Sequence, residues 1–513
     1  MSALTALRRG ADLRRLADRR EPLDVLVIGG GITGVGAALD AATRGLQVAL
    51  VDAGDLASGT SRWSSKLVHG GLRYLATGQL GIARESAVER HHLMTTIAPH
   101  LIRPLRQVIP DAGPRRSTAL MRAGFRAGDL LRRNAGTPSS VLPPPAAMSA
   151  MEVLGRCPTV RRTGLRGGIS STDGQLVDDA RLVVAVARTA AAFGATICTF
   201  TQATAVDGRG ATLTDVRTGE SFEVRARTVI NATGVWAPDV DRTISVRPSR
   251  GTHLVFDAER LGYPSAALTV PVSGSVSRFV FALPAQLGRV YVGVTDVDAP
   301  GPVSDQPQPD GAEIDFLLET INGALQQPLS RADIIGTFAG LRPLIGDPVA
   351  GAHGELADVS RRHRVQITDD TLISVIGGKL TTYRRMAQDA VDTAVATGRL
   401  SAGDCITTVT PLVGAVGTRE VAGLPASLVE RFGAEAPTVI EKARLPRPLD
   451  PVVDGIDVTR AEIEFALTHE GALDTDDIIH RRTRIGLVDT DAKAAWGAVS
   501  EICLLYTSPS PRD

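Results

Sequence analysis

Three glycines set the first chemistry this sequence offers. Gly29, Gly31 and Gly34, in Gly29-Gly30-Gly31-Ile32-Thr33-Gly34, have the G-x-G-x-x-G spacing of a dinucleotide-binding turn. The first glycine makes the tight turn. The second lets backbone N–H groups approach a pyrophosphate. The third lets the following helix pack on the strand, with its N-terminus facing the phosphates. Asp52 ends the next apolar run, where a carboxylate suits a ribose hydroxyl. FAD and NAD both satisfy this much of the pattern.

The stretch after Asp52 is dense in hydroxyls: Ser58, Thr60, Ser61, Ser64 and Ser65. Lys66, His69, Arg73 and Tyr74 follow around Gly70-Gly71. Hydroxyls bind phosphate oxygens, and paired glycines let a ring system lie against the backbone. Two further small-residue turns end distant apolar runs, Asn231-Ala232-Thr233-Gly234 and Gly377-Gly378-Lys379. Three glycine-marked strand ends exceed what a simple NAD domain needs. They suit an elongated FAD threaded across a sheet of discontinuous segments.

Those turns need elements to hold them. Asp24–Gly29 is a short β-branched run ending at glycine, as a buried parallel strand should be. The Ala-rich stretch Ile32–Arg44 reads as a helix, and Gln47–Val51 as a second strand, so the segment is a βαβ unit. Arg181–Ala192 predicts another helix. Residues 221–230 and Leu372–Ile376 predict strands that run into the two later turns. From 246 to 345 the pattern turns β-rich. Arg103–Arg133 interleaves arginine with Leu120, Met121, Phe125, Leu130 and Leu131, and is read as a basic amphipathic insertion near 103–145.

Composition limits the alternatives. The chain has 513 residues, with Lys+Arg 56 against Asp+Glu 56 and a formal net charge of 0, which argues against a dedicated nucleic-acid binder. Its 52 glycines have no three-residue period, so the chain is not collagen-like. Four cysteines, none in a CxxC pair, fit a reducing compartment better than a disulfide framework. No secretory signal, spanning helix or metal site is expected.

The strings GGGITGVG, ASGTS, SSKLVHGGLRYL, DDARL, GTHLVF, GVTD, GLRPL and GGKLTTYR occur in that order. In this the sequence resembles the FAD-dependent glycerol-3-phosphate dehydrogenases, over about residues 22–500. The resemblance implies a glutathione-reductase-like FAD fold of the D-amino-acid-oxidase superfamily. The fold class expected is an α/β FAD-binding Rossmann-like domain, with an α+β substrate domain and a helical C-terminal domain. The ranges are 22–245 and 346–400 for the FAD-binding domain, 246–345 for the β-rich substrate domain and 405–505 for the helical domain. It implies oxidation of sn-glycerol 3-phosphate to dihydroxyacetone phosphate, by hydride transfer from C2 to flavin N5. Electrons would pass to a membrane quinone, from a peripheral position on the cytoplasmic face of the membrane. A homodimer is the assembly considered.

By the same resemblance FAD is held by Gly29, Gly31, Gly34, Asp52, Ser58, Gly59, Thr60 and Ser61, joined by Ser65, Leu67, Gly234, Gly378, Lys379 and Thr381. A dianionic phosphate calls for cations with fixed donors. Arg342, Arg73, Arg361 and Lys379 are the candidates, with Tyr74 adding a hydroxyl. The C2 hydroxyl must lose a proton, and His69 and His253 are the candidate bases. Thr295 and Asp296 are expected to shape or polarise the pocket. Arg342 and Lys379 join the two histidines as catalytic candidates.

Three other readings stand beside this one: an oxygen-dependent oxidase of the same substrate, a catalytically inactive flavin-binding protein, and a plain NAD dehydrogenase. Residues 504–513 break the amphipathic pattern and are read as a non-native tail.

Overall fold

The computed structural model describes residues 2–71, 74, 78–112, 115–275, 278–345, 362–417 and 421–507, without the side chains of 115–123 and 507. Two sheets organise it. The first runs in the order Arg364–Thr368, Leu372–Ile376, Ser221–Asn231, Leu23–Ile28, Val48–Val51, Thr196–Cys198. All neighbours from Leu372–Ile376 to Thr196–Cys198 pair in parallel. Their apolar runs are buried on both faces, as such a sheet requires. One face carries helices Ile32–Thr43, Asp179–Ala192 and Tyr383–Gly398 over a core of Val, Leu, Ile and Ala side chains. Asp178 caps the second of these by accepting the Arg181 amide at 3.0 Å.

The second sheet runs Val297–Asp298, Val246–Asp257, Arg289–Gly293, Phe279–Ala285, Ala267–Pro271, Ile102–Pro110, Gly168–Leu176, Leu67–Val68. Gly336–Ile345 pairs antiparallel with Val246–Asp257 from Val246 to Val255, so that Ser249 lies opposite Arg342 and His253 opposite Phe338. Residues 22–245 supply strands to both sheets.

The basic insertion near 103–145, expected to be helical, is not helical throughout. Ile102–Pro110 is a strand paired with Gly168–Leu176, and only Arg115–Asn134 is helical. Pro104 and Pro110 explain this, since neither can donate an amide inside a helix. Arg132 does not join a basic surface. Its side chain is buried and donates to Asp129 and to the Thr137 carbonyl. Phe125 is buried with Ile109 and Ile169, whereas Leu130 is exposed.

Helices Ala426–Phe432, Ala436–Lys442, Arg460–His469 and Asp489–Thr507 pack on one another. The last helix continues past Leu504 to Thr507, and the Tyr506 hydroxyl donates to Glu464. That part of the expected tail is ordinary helix, and 508–513 lie outside the described residues. Buried ion pairs tie this region to the first sheet. Arg482 donates to both Asp55 oxygens at 2.7 and 2.8 Å, and Arg181 reaches Glu470 at 2.8 Å. Among the described residues, no helix is long and apolar enough to cross a membrane.

Candidate active site

A cavity of about 1750 Å³ opens between the two sheets, along the strand ends that carry the three glycine turns. Gly34 does not line it but makes it possible. A Cβ there would lie 1.8 Å from the Gly29 carbonyl oxygen, so only glycine lets the helix sit so close to the strand. Gly29 has φ +111°, and a Cβ on it would strike the Ala232 carbonyl of the second turn at 2.7 Å. Gly29, Gly31 and Thr33 line the cavity at the helix start, where Gly31 is the N-cap and has no side chain of its own to cap the helix. The Ile32 amide donates to Ser61 Oγ at 2.9 Å. The Asp52 carboxylate accepts the Gly30 amide at 2.5 Å and the Gly54 amide at 2.7 Å. Burial pushes its pKa up, and these two amides push it down.

Ser58, Gly59, Thr60 and Ser61 line the same wall, with Gly59 pressed on the Trp236 ring. Thr60 donates its hydroxyl to the Leu341 carbonyl at 2.7 Å. Ser65, Leu67, Gly234, Gly378, Lys379 and Thr381 also line the cavity. This narrow, amide-rich cradle fits a dinucleotide: a helix start for phosphates, a carboxylate for a ribose and glycine-bared backbone for a ring system.

The remaining candidates share the cavity. His69, Tyr74, His253, Thr295, Asp296, Arg342 and Lys379 all line it, while Arg73 and Arg361 lie outside the described residues. Arg342 is held in place by its surroundings. It donates to Asp296 at 3.2 Å, to Ser249 Oγ at 3.4 Å and to the Thr295 carbonyl at 3.2 Å. Thr295 is fixed in turn, donating its hydroxyl to the buried Glu313 at 2.7 Å and accepting the Thr252 amide at 2.9 Å. Thr295 and Asp296 thus position Arg342. Lys379 extends its ammonium over the Tyr74 ring, 4.4 Å from the centroid, and donates to Ser86 Oγ.

The two histidines differ. His253 is buried, stacked on Phe338 at 4.6 Å between centroids and hydrogen-bonded through Nε2 to Ser65 Oγ at 2.9 Å. Burial holds its pKa well below the ordinary 6.5, helped by the Lys66 and Arg342 charges. It is therefore a neutral imidazole. His69 is only half-buried, and its Nδ1 receives the Gly71 amide at 3.3 Å, past the usual optimum.

Lys66, one of the charges the sequence offers after the hydroxyl-rich stretch, does not line the cavity but is buried, paired with Asp179 at 3.1 Å and 4.6 Å from the Phe338 ring centroid. Two other residues have no local sequence signal. Ser249 and Gly251 seat Arg342 from the opposing strand. Their only clue is membership of the same β-run as His253. Among the described residues, no group of His, Cys, Asp or Glu is arranged to hold a metal.

Comparison with known proteins agrees with this geometry. Residues 24–373 match the family model for FAD dependent oxidoreductases, and residues 405–505 match that for the C-terminal domain of alpha-glycerophosphate oxidase. Glycerol-3-phosphate dehydrogenase 1 of Mycobacterium tuberculosis is 57% identical over 507 residues, covering 98% of each chain. The crystal structure of glycerol-3-phosphate dehydrogenase from Bacillus halodurans, complexed with FAD, superposes with a TM-score of 0.74 at 25% identity, covering 100% of this chain and 95% of that one. The L-alpha-glycerophosphate oxidase of Mycoplasma pneumoniae shares the fold, with a TM-score of 0.57 at 19% identity over 77% of this chain and 99% of its own. The dinucleotide of the cradle is FAD, and the chain belongs to the FAD-dependent glycerol-3-phosphate dehydrogenase family.

Proposed function

We propose that this chain oxidises sn-glycerol 3-phosphate to dihydroxyacetone phosphate. One observation carries the reading: a single cavity joins the FAD cradle to Arg342, Lys379, His69 and Tyr74. When bound, FAD accepts the hydride that leaves C2. The protein's own groups do the rest. Arg342, held by Asp296 and the Thr295 carbonyl, offers its planar fork to the phosphate dianion. Lys379 adds a point charge, and Arg73 and Arg361 complete the cationic set in this reading. His69 takes the proton from the C2 hydroxyl, because its imidazole is half-open to the cavity while the His253 ring is enclosed by Phe338 and Ser65. His253 acts through Ser65, keeping that hydroxyl in place.

The electrons pass on to a membrane quinone, with the protein peripheral on the cytoplasmic face. Support for this part comes from helix Arg115–Asn134, whose described outer face has Arg126 and Arg133 exposed beside Leu130. A basic, partly apolar face of this kind suits an anionic interface. The C-terminal match to an alpha-glycerophosphate oxidase domain favours oxygen as a second reading of the acceptor. Stopped-flow reoxidation of the reduced flavin decides between them. Rapid reoxidation by a quinone analogue and slow reoxidation by oxygen supports the first reading, and the reverse supports the second.

A further inference from the structure

Arg62 is a buried cation, its relative exposure 3%, and among the described residues its Nε and Nη1 have no hydrogen-bond acceptor. Among the described residues no carboxylate forms an ion pair with it. A buried guanidinium left this way is unfavourable by several kcal/mol unless an anion reaches it. Its pKa is pulled down to about 9, by burial and by the charges of Arg484 and Arg481. Yet Arg62 does not collapse onto a nearby acid. Its guanidinium lies 4.4 Å above the Trp63 ring, and its carbonyl accepts Arg484 Nη2 at 2.6 Å.

Two observations say what the missing anion is. Arg62 lines the same cavity as the dinucleotide cradle, and it directly follows Ser61, whose hydroxyl is bonded to the amide at the helix start. The charges nearest it are Arg484, Arg481, Asp476 and Asp55, none of them a candidate for the substrate phosphate. Asp55 belongs to the loop that starts at the ribose carboxylate Asp52, and Asp55, Asp476 and Arg481 line the cavity too. We propose that Arg62 is the counter-cation of the FAD pyrophosphate, held ready by Trp63. The C-terminal domain then has a part in cofactor binding, since Arg481 and Arg482 occupy Asp55, and Arg481 also Asp476, the two acids that would otherwise neutralise Arg62.

The proposal rests on FAD as the cofactor, and its test separates the two. FAD is stripped from the holoenzyme, and binding to the apoprotein is measured by flavin fluorescence for FAD and by calorimetry for ADP and adenosine. In Arg62→Met, FAD and ADP weaken roughly 10- to 100-fold, the range for a hydrogen bond to a charged group, while adenosine is unchanged. Arg62→Lys falls between, and FAD binding to Arg62→Met loses part of its salt dependence. Unchanged FAD and ADP binding in both variants overturns the proposal. So does an equal loss for adenosine, which marks a structural role only. Wild-type protein that takes up no FAD overturns the proposal and the cofactor assignment together, whereas wild-type FAD binding that the variants leave unchanged overturns the proposal alone.

Discussion

The guanidinium of Arg342 lies across the backbone of Gly251, so close that a Cβ on Gly251 would stand 2.2 Å from Nη2. The pairing of the two strands brings this about, with Gly251 opposite Gly340 and Ser249 opposite Arg342. A missing side chain on one strand is thus the seat of the phosphate-binding candidate on the other. Gly251→Ala replaces none of the candidate site residues and pushes the Arg342 guanidinium off its seat. The expected result is a rise in KM for sn-glycerol 3-phosphate of about 10-fold or more, the scale of one charged hydrogen bond, with a smaller change in kcat. Steady-state kinetics on the FAD-loaded variant checks it. An unchanged KM contradicts the role given to Arg342.

The two histidines separate by substitution. His69→Asn should lower kcat by roughly 10²- to 10⁴-fold, the contribution of a positioned base. His253→Asn should lower activity less, because the His253 ring is stacked on Phe338 and bonded to Ser65. Equal losses in the two variants would show that the roles are not divided this way.

Stability should fall as the solution is acidified. Burial, helped by the Arg181 charge, lowers the His100 pKa from 6.5 to about 4. Between those values the unfolded chain binds a proton that the folded chain refuses, so the contribution present above pH 6.5 is lost on the way down to about 4. His253 acts in the same direction. Asp477, pushed up to about 7 by burial beside Asp55, acts in the opposite one. The check is therefore the difference between wild type and His100→Gln. Denaturant midpoints measured at stepped pH should converge as pH drops towards 4, the wild type losing its margin.

Asp55 joins the cofactor loop to the C-terminal region through Arg481 at 2.7 Å and Arg482 at 2.7 and 2.8 Å. Asp55→Ala takes the ion-pair partner from the buried Arg482 and one of three acids from Arg481, which keeps Asp476 and Asp477. The expected loss is about 3–5 kcal/mol of stability, read by chemical denaturation of the holoenzyme, with FAD released at lower denaturant than in wild type. A loss below about 1 kcal/mol, the level of a surface pair, would mean that the bridge is solvated.

The parts legible in the sequence are those with local causes. Gly29, Gly31 and Gly34 advertise themselves because one turn of backbone sets all three positions, and the β-branched runs before them are buried on both faces. What is not legible depends on register between distant strands. Ser249 and Arg342 are 93 positions apart, and Asp55 and Arg481 are 426. No periodicity links such pairs. The strand Ile102–Pro110 is hidden for another reason. The arginines around it suggest a helical face, and only its two prolines argue against one. Arg62 reads as one more charge in a polar loop until its burial and the unbonded Nε and Nη1 are seen.

The central claim is that the cations and the flavin share one substrate. Anaerobic addition of sn-glycerol 3-phosphate to the FAD-loaded protein, followed by the visible flavin absorption, tests it most directly. The wild type should bleach. Arg342→Ala and Lys379→Ala should bleach only at much higher substrate concentration, or not at all. A wild-type flavin that stays oxidised, or bleaching with unaltered concentration dependence in both variants, would contradict the account.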